Sequence, residues 1–570
     1  MVKLKKNKKV IDPAKLERLQ FTSAMRTVFM RPGFQRVPSV GDEFQFRGRT
    51  GELDDVFLYE NIFVICEYTT GKASSSHLGK KKFLFDEITN NAEEWISFYA
   101  TISPEFKTYF SKAPYETHDY RIRIVYCSKK GINEELLTVY PQILYLDLPQ
   151  INYFRALTKI IQKSSRFEIL KFLNLEHSEI GQAVISSASQ NKAYKGFLLP
   201  EGYSSFPQGY KIVSFYADPQ SLLEKSYVLR RDSWRDPEGL YQRMLIPVKI
   251  RKMRQYLEDV KRVFVNNIIV TLPAETKLNN PENENNLVDD ELNKVKQVIV
   301  QLPEKFNVVG IIDGQHRVLC YHEGNDAYEA KIKKLRTKQN LLVTGIIYPK
   351  SMSQSEKNKF EAKLFLEIND TQARAKSALK QSIELILRPK STLAISKAVV
   401  ERLSRSGALK DMLQVHQFDD ASKIKTSSIV SYGLRPLVKF EGDDTLFKIW
   451  KHVDKNNLKD ASEDEPPLDT LHSYIEFCSN QINHLLVAAK IQSGADNWKP
   501  VTKDGGMLSP TTVNGFIVCL RLLVENNLMG TQATYQSQIH GIEKFKFGGY
   551  KSSHWKALGE KLFSTYFNKT

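Results

Sequence analysis

Asn307-Val308-Val309-Gly310-Ile311-Ile312-Asp313-Gly314-Gln315-His316-Arg317-Val318-Leu319 is the stretch on which the reading of this chain turns. An apolar, β-branched run stops at Asp-Gly and resumes as Val318, Leu319 and Tyr321 at helical spacing. The pattern predicts a buried strand, a tight turn and a helix start. Asp313 is placed to cap the new helix, and Gly314 lets backbone approach a ligand. Gln315, His316 and Arg317 then occupy positions where free N–H groups and the positive helix end favour an anion such as phosphate. The same five residues would equally suit an N-capped helix whose arginine pairs with a carboxylate.

The pentapeptide Asp313-Gly314-Gln315-His316-Arg317 resembles the signature of DGQHR-domain proteins, a family that includes the DndB-like components of DNA phosphorothioation systems. The resemblance spans roughly Tyr210 to Pro389. It implies a ParB/sulfiredoxin-like α+β core with the turn at a nucleotide or DNA-phosphate site, where ATP or CTP could bind. It also draws in Arg243, from Tyr241-Gln242-Arg243, and the amides Asn369 and Gln372 at the end of a helix from Glu356 to Ile368. Those amides can read a base edge or nucleotide, or simply cap the helix. The setting implied is a bacterial DNA-modification or anti-phage defence system, with other proteins of that system as partners.

The bulk of the chain agrees with a polyanionic partner. Across 570 residues, Lys and Arg outnumber Asp and Glu by 82 to 65, a formal charge of +17. Such a surface favours nucleic acid through counterion release, although a merely basic soluble protein would look the same. The length predicts two to four domains, and 41% hydrophobic residues suffice to fill their cores. Five cysteines lie far apart without close Cys or His partners, which argues for a reducing compartment and against a disulfide framework or zinc finger. No apolar run approaches ~18 residues. The expectation is therefore a cytoplasmic protein with no membrane partner.

Toward the N-terminus, Asp12-Pro13 opens a helix and Phe44 to Arg47 alternates as a strand. Gly51 to Tyr59 follows as a second strand and Ile62 to Thr69 as a third. Acidic residues fall on two neighbouring strands: Asp54 and Asp55 on one, Glu67 on the next. Two carboxylates brought together by a tight turn make an oxygen-rich site suited to a hard cation and phosphodiester hydrolysis.

This order of elements resembles the PD-(D/E)xK restriction-endonuclease-like core. The resemblance implies Mg2+ or Mn2+ held by Asp54 or Asp55 and by Glu67, with Glu17 on the preceding helix as a further ligand. Thr69 stands where that family has its lysine, so the ammonium would have to come from Lys72, or from Lys80, Lys81 or Lys82. The plain reading of the same acids is a solvated edge-strand pair and a strand-end charge.

The helix Phe83 to Ile102 and the strands Tyr120 to Cys127 and Ile143 to Asp147 continue an α/β pattern. The fold class expected is multidomain α/β. A nuclease-like domain occupies residues 1–190, a DGQHR domain 209–389, and a helical accessory domain 390–570 able to clamp DNA or form a homo-oligomer contact. Val298 to Leu302 is expected to pair with the strand before the Asp-Gly turn, and the Asn/Glu-rich stretch from Leu278 to Glu291 to be a flexible insertion. In the helix Leu245 to Val260, Val248 and Val260 belong to the predicted core and Arg254 to the predicted basic face. Three functions follow: a metal-dependent DNA endonuclease gated by the DGQHR domain, a non-catalytic DNA-binding regulator, or a ParB-like nucleotide hydrolase. No G-x-x-x-x-G-K-[ST] loop is present, which argues against a P-loop ATPase.

Overall fold

The structure, a computed structural model, describes residues 12–38, 41–73, 75–181, 193–229, 244–370, 386–416, 418–502 and 506–568. The described residues up to Lys357 form one compact unit and those from Asn358 a second. The first unit is mixed α/β with two large sheets, and the second is mainly helical.

The first sheet begins behind helix α1 (Pro13–Met30), which Asp12 caps at the N–H of Ala14. Phe21, Met25, Val28 and Phe29 are its buried face, while Leu16 and Leu19 stay exposed. Strand β1 (Gln35–Val37) is followed by a small hairpin of β2 (Phe44–Phe46) and β3 (Arg49–Gly51). Next come β4 (Asp55–Tyr59), β5 (Ile62–Thr69), β6 (Arg121–Ser128) and β7 (Leu144–Leu146). The sheet order is β1-β4-β5-β6-β7. The first three strands run antiparallel, and β6 and β7 run parallel to β5.

Parallel pairing requires a crossover, supplied here by helices α2 (Ser75–Asn90), α3 (Ala92–Ile102) and α4 (Pro104–Lys112). The single helix expected from Phe83 to Ile102 is broken at Asn91, whose side-chain amide takes the Glu87 carbonyl and ends α2. Trp95 of α3 is fully buried against Phe46, Phe63 and Tyr99. Each such apolar burial contributes roughly 1.5–3 kcal/mol. Helices α5 (Leu148–Ile161) and α6 (Arg166–Phe172) complete this part.

The second sheet contains β8 (Ala193–Pro200), β9 (Lys211–Ala217), β10 (Ser226–Tyr227), β11 (Ile268–Leu272), β12 (Lys277–Asn279), β13 (Lys296–Gln301), β14 (Val309–Asp313) and β15 (Leu341–Ile347). Their order is β10-β14-β11-β15-β9-β8-β13-β12. The pairing expected between β13 and β14 does not form. Both edges of β13 are already taken, by β8 over six residue pairs and by β12 over three, so β14 pairs with β10 and β11 instead. The Asn-rich stretch is likewise not a loose insertion. It folds back on hydrogen bonds from Asn280 to Asn285 and from Leu287 to Leu278, and supplies β12.

Helix α7 (Pro247–Val260) buries Ile250, Arg254 and Leu257, whereas Val248 and Val260 are exposed. The predicted face is thus rotated, because Arg254 points inward. It leaves solvent because its donors find partners in Asp326, Glu329 and the carbonyls of Cys320 and His322. The two sheets are also stitched together within this unit. Arg166 forms a two-pronged pair with Glu323 at 3.1 and 2.6 Å, Asn307 donates to the Phe167 carbonyl, and Gln162 accepts from the N–H of Asn325.

In the second unit the long helices are Thr392–Arg405, Leu468–Ser493, Pro510–Glu525 and Trp555–Tyr566. The last two touch backbone to backbone. A Cβ at Gly559 would lie 2.5 Å from Val518, so glycine alone fits there. Among the described residues, no helix is long and apolar enough to cross a membrane. All five cysteines are free and buried.

Candidate functional site

Asp54 and Glu67 meet because of strand register. Asp55 pairs with Cys66 across β4 and β5, so the next residues outward, Asp54 and Glu67, come opposite each other on the other face. Tyr68 N–H donates to Asp54 at 2.9 Å and holds it there. From the crossover helix α2, Lys81 reaches down and donates to Glu67 Oε2, with the Glu52 carbonyl as a second acceptor. Glu67 is wholly buried, while the Asp54 side chain is 18% exposed, so the cluster opens to solvent on the Asp54 side.

The electrostatics are unbalanced. Glu67 has the Lys81 ammonium, while Asp54 has only Arg18, at 3.5 Å from a largely exposed position. Burial pushes the Glu67 carboxyl up to about 8; Lys81 opposes this and the Asp54 charge adds to it. The same two charges, after burial, help raise the Tyr126 phenol on β6 to about 12. Glu67 Oε1 is buried with no hydrogen-bond partner. An acceptor facing another acceptor in this way can be satisfied only by a proton or a cation.

Below about pH 8 the proton on Glu67 fills that role, and with the proton gone two carboxylate oxygens are donors of the kind a hard divalent ion takes. Among the described residues no group of three or more His, Cys, Asp or Glu side chains converges as a metal site, so a cation here would complete its shell with water and phosphate oxygens, as Mg2+ commonly does.

The other acids named from sequence go elsewhere. Asp55, one residue along, points to the opposite face, fully buried between Arg26 at 2.8 Å and Arg36 at 2.5 Å. Glu17 pairs with Lys129 at 2.5 Å on the surface, and that bond holds its carboxyl below the usual range. Lys72 is exposed after β5, away from any ion pair, and Lys82 pairs with Asp86 within α2. The ammonium at the carboxylates is that of Lys81.

The Asp-Gly turn forms at the end of β14 as the pattern predicts, but its parts are used differently. Gly314 is the N-cap residue, at φ 100°, and Asp313 does not cap. A Cβ at Gly314 would meet Ile268 Cδ1 at 2.7 Å and Arg317 Nη2 at 3.1 Å. Asp313 instead accepts from Arg317 Nη2 at 2.8 Å, and the same nitrogen donates to the Asn267 carbonyl.

The helix that follows, α8 (Gln315–Leu319), is only five residues long. A stronger positive end lies beside it. The 14-residue α7 starts at Pro247 with no side-chain cap, and the N–H of Ile246 donates to His316 Nε2 at 3.3 Å. Arg317 Nε is buried without a partner. This turn can present an arginine, an imidazole and free helix N–H groups to an anion.

Sequence reasoning missed the support beneath the turn. Arg254 and Arg336, both almost fully buried, grip the carbonyls of Cys320, Tyr321 and His322 and share Glu329, on helix α9 (Glu329–Lys338). Burial and the neighbouring Arg254 push the His322 imidazole down to about 3, so it is neutral here. The signal available was the spacing Ile250, Arg254, Leu257, an arginine on the buried stripe of a helix. Arg243, Gln372 and the side chain of Asn369 lie outside the described residues, as does the side chain of Lys80. No protein-family model matches the chain, and no curated protein or solved structure matches it either.

Proposed function

We propose that this chain is a DNA-binding hydrolase, a magnesium- or manganese-dependent nuclease with Asp54, Glu67 and Lys81 at its reactive site. Its DGQHR turn would bind a DNA phosphate or a nucleotide, and its place would be in a DNA-modification or anti-phage system. The observation that carries the reading is the acid pair at Glu67: a buried carboxyl facing Asp54, with one oxygen bonded to Lys81 and the other without a hydrogen-bond partner. The element order of a helix, antiparallel strands, crossover helices and a parallel strand supports the restriction-endonuclease-like resemblance.

A divalent cation, when bound, would polarise the scissile phosphate and acidify water. Glu67 and Asp54 would anchor it. Lys81 stands where it can orient the attacking water or offset phosphate charge, doing from a helix what the residue at Thr69 would otherwise do from the strand. The DGQHR turn contributes Arg317 and His316 to an anion, with the buried Arg254 and Arg336 fixing the backbone beneath them.

The test is incubation of the purified protein with plasmid DNA and Mg2+ or Mn2+, with and without ATP or CTP. Wild type is compared with Glu67→Gln, Lys81→Met and Arg317→Ala. Cleavage lost in the first two supports the nuclease site, and dependence on nucleotide and Arg317 makes the turn its switch. Intact DNA together with a mobility shift would favour the second reading, a non-catalytic DNA-binding protein. One observation favours that reading: Asp55 and Glu17 are committed to ion pairs, leaving two carboxylates at the site.

A further inference from the structure

We infer that the exposed patch of the eight-stranded sheet around Phe197 and Tyr216 binds single-stranded nucleic acid, with bases stacked on the two rings. The inference goes beyond the nuclease reading and does not need it.

Alternation gives the sheet two unlike faces. Leu198, Val213, Phe215, Val298, Val300 and Val343 are buried on one side. On the other, Phe197 of β8 and Tyr216 of β9 are 61% and 60% exposed. Aromatic side chains of this size in mid-strand normally bury most of their surface. These two are neighbours. Phe197 pairs with Ser214, two residues before Tyr216, so the rings stand on diagonal positions, roughly 7–8 Å apart at the backbone.

The register carries a row of residues from the exposed rings across the sheet, partly exposed at Ser214, Thr344 and Ile269. Gln297, Phe197, Ser214, Thr344 and Ile269 are successive partners across five strands, and the partner of Ile269 is Asp313 at the DGQHR turn. Asn267 joins this row to the turn: its Nδ2 donates to Thr344 Oγ1, and its carbonyl accepts from Arg317. Its Oδ1 is buried with no partner.

Charge decides the kind of partner. The eight strands carry lysines at 195, 211, 277 and 296 and one carboxylate, Asp313, already bonded to Arg317. Lys195 and Lys277 are exposed and lie on the same face as the two rings. A protein partner would be met by mixed charges. A sheet face of exposed aromatics, uncharged hydrogen-bonding side chains and lysine is suited to bases stacked on rings and a phosphate backbone beside them. A duplex, whose bases are already stacked on each other, cannot use the rings.

The experiment is fluorescence anisotropy of a labelled oligothymidylate of about a dozen nucleotides, without divalent metal, with a duplex of equal length as the comparison. Wild type is expected to bind the single strand in preference to the duplex. Phe197→Ala and Tyr216→Ala should each weaken that binding roughly tenfold, while Phe197→Tyr and Tyr216→Phe retain it. Lys195→Glu should weaken it and flatten its salt dependence. Both rings are exposed, so the substitutions do not threaten the fold. Absence of saturable single-strand binding, or unchanged binding by the double alanine variant, would overturn the inference. So would a double variant that alters only the sedimentation of the protein, which would make the face a contact between copies. Because the readout is binding without metal, failure of the nuclease reading leaves this test standing.

Discussion

Asp54 and Asp55 are consecutive residues with opposite surroundings. Asp55 lies between two arginines with both oxygens bonded, so that face of the sheet has more positive charge than it needs. Asp54 shares the other face with Glu67, where the cations are Lys81 on Glu67 and a largely exposed Arg18 at 3.5 Å from Asp54, and an oxygen of Glu67 is left bare. Both acids are buried or nearly so, so burial alone does not mark a reactive site. What distinguishes them is whether the protein completes the charge balance itself or leaves it for a ligand.

The largest effect that would test this contrast is on chemistry. Glu67→Gln should lower the metal-dependent cleavage rate by about a thousandfold or more, and Lys81→Met by about a hundredfold, in a plasmid-nicking assay. Asp55→Asn should leave the rate within a few fold once the protein is folded. If Asp55→Asn abolished cleavage while Glu67→Gln did not, the two faces would have to exchange roles.

Next in size is stability. Arg36→Ala removes half of the partnership of a wholly buried carboxylate and should cost about 3 kcal/mol in urea unfolding. Arg254→Ala, at the second sheet, should cost about as much, since it removes the arginine from Asp326 and from the buried Cys320 carbonyl, while Arg336 still serves the His322 carbonyl.

Gly314→Ala should be milder for the fold, about 1–3 kcal/mol, because strain at φ 100° and the clash with Ile268 are local. It would displace Arg317, so any nucleotide or phosphate binding at the turn should fall with it, measured by calorimetric titration.

The comparison is also sharpened through pH. Glu67 holds its proton up to about 8 in the folded protein, against 4.5 ordinarily, so between those values the folded state binds more protons than the unfolded one. Stability from this group is therefore fully present below pH 4.5, declines as pH rises toward 8, and is level above that. Urea midpoints across this window should slope downward in wild type and less so in Glu67→Gln. Cation affinity should move the other way, strengthening with rising pH until the proton is gone.

Several of these features are legible in the sequence alone. The Asp-Gly turn was legible because a β-branched run cannot pass a glycine at positive φ without ending. The long helices near the C-terminus were legible from unbroken apolar periodicity. Asp54, Asp55 and Glu67 could be placed on neighbouring strands, but which aspartate shares a face with Glu67 is decided by the register. Lys81 could be named only as one of several lysines, because which of them arrives depends on where a three-helix crossover sets α2.

Strand β8 was missed: Ala193 to Pro200 holds a glycine in its middle and a proline at its end, both of which argue against a strand. The neighbours of β14 were misjudged because strand order is a tertiary property. Arg254 was assigned to the surface because its type is usually solvated, and only its carboxylate and carbonyl partners, some seventy residues away in sequence, reverse that expectation.

The stitching between the two sheets bears on how the molecule can be taken apart. Arg166, Gln162 and Phe167 belong to the first half of the unit, and Glu323, Asn325 and Asn307 to the second. Glu323 and Asn325 lie only a few residues beyond Arg317. A fragment ending after the first sheet would carry a half-buried arginine with no acid to meet it, and a fragment beginning at the second would carry the bare acid. Each half expressed alone should be soluble poorly or not at all, while the two co-expressed should be recovered as one complex, a dissection that works at the level of the pair and not of the parts.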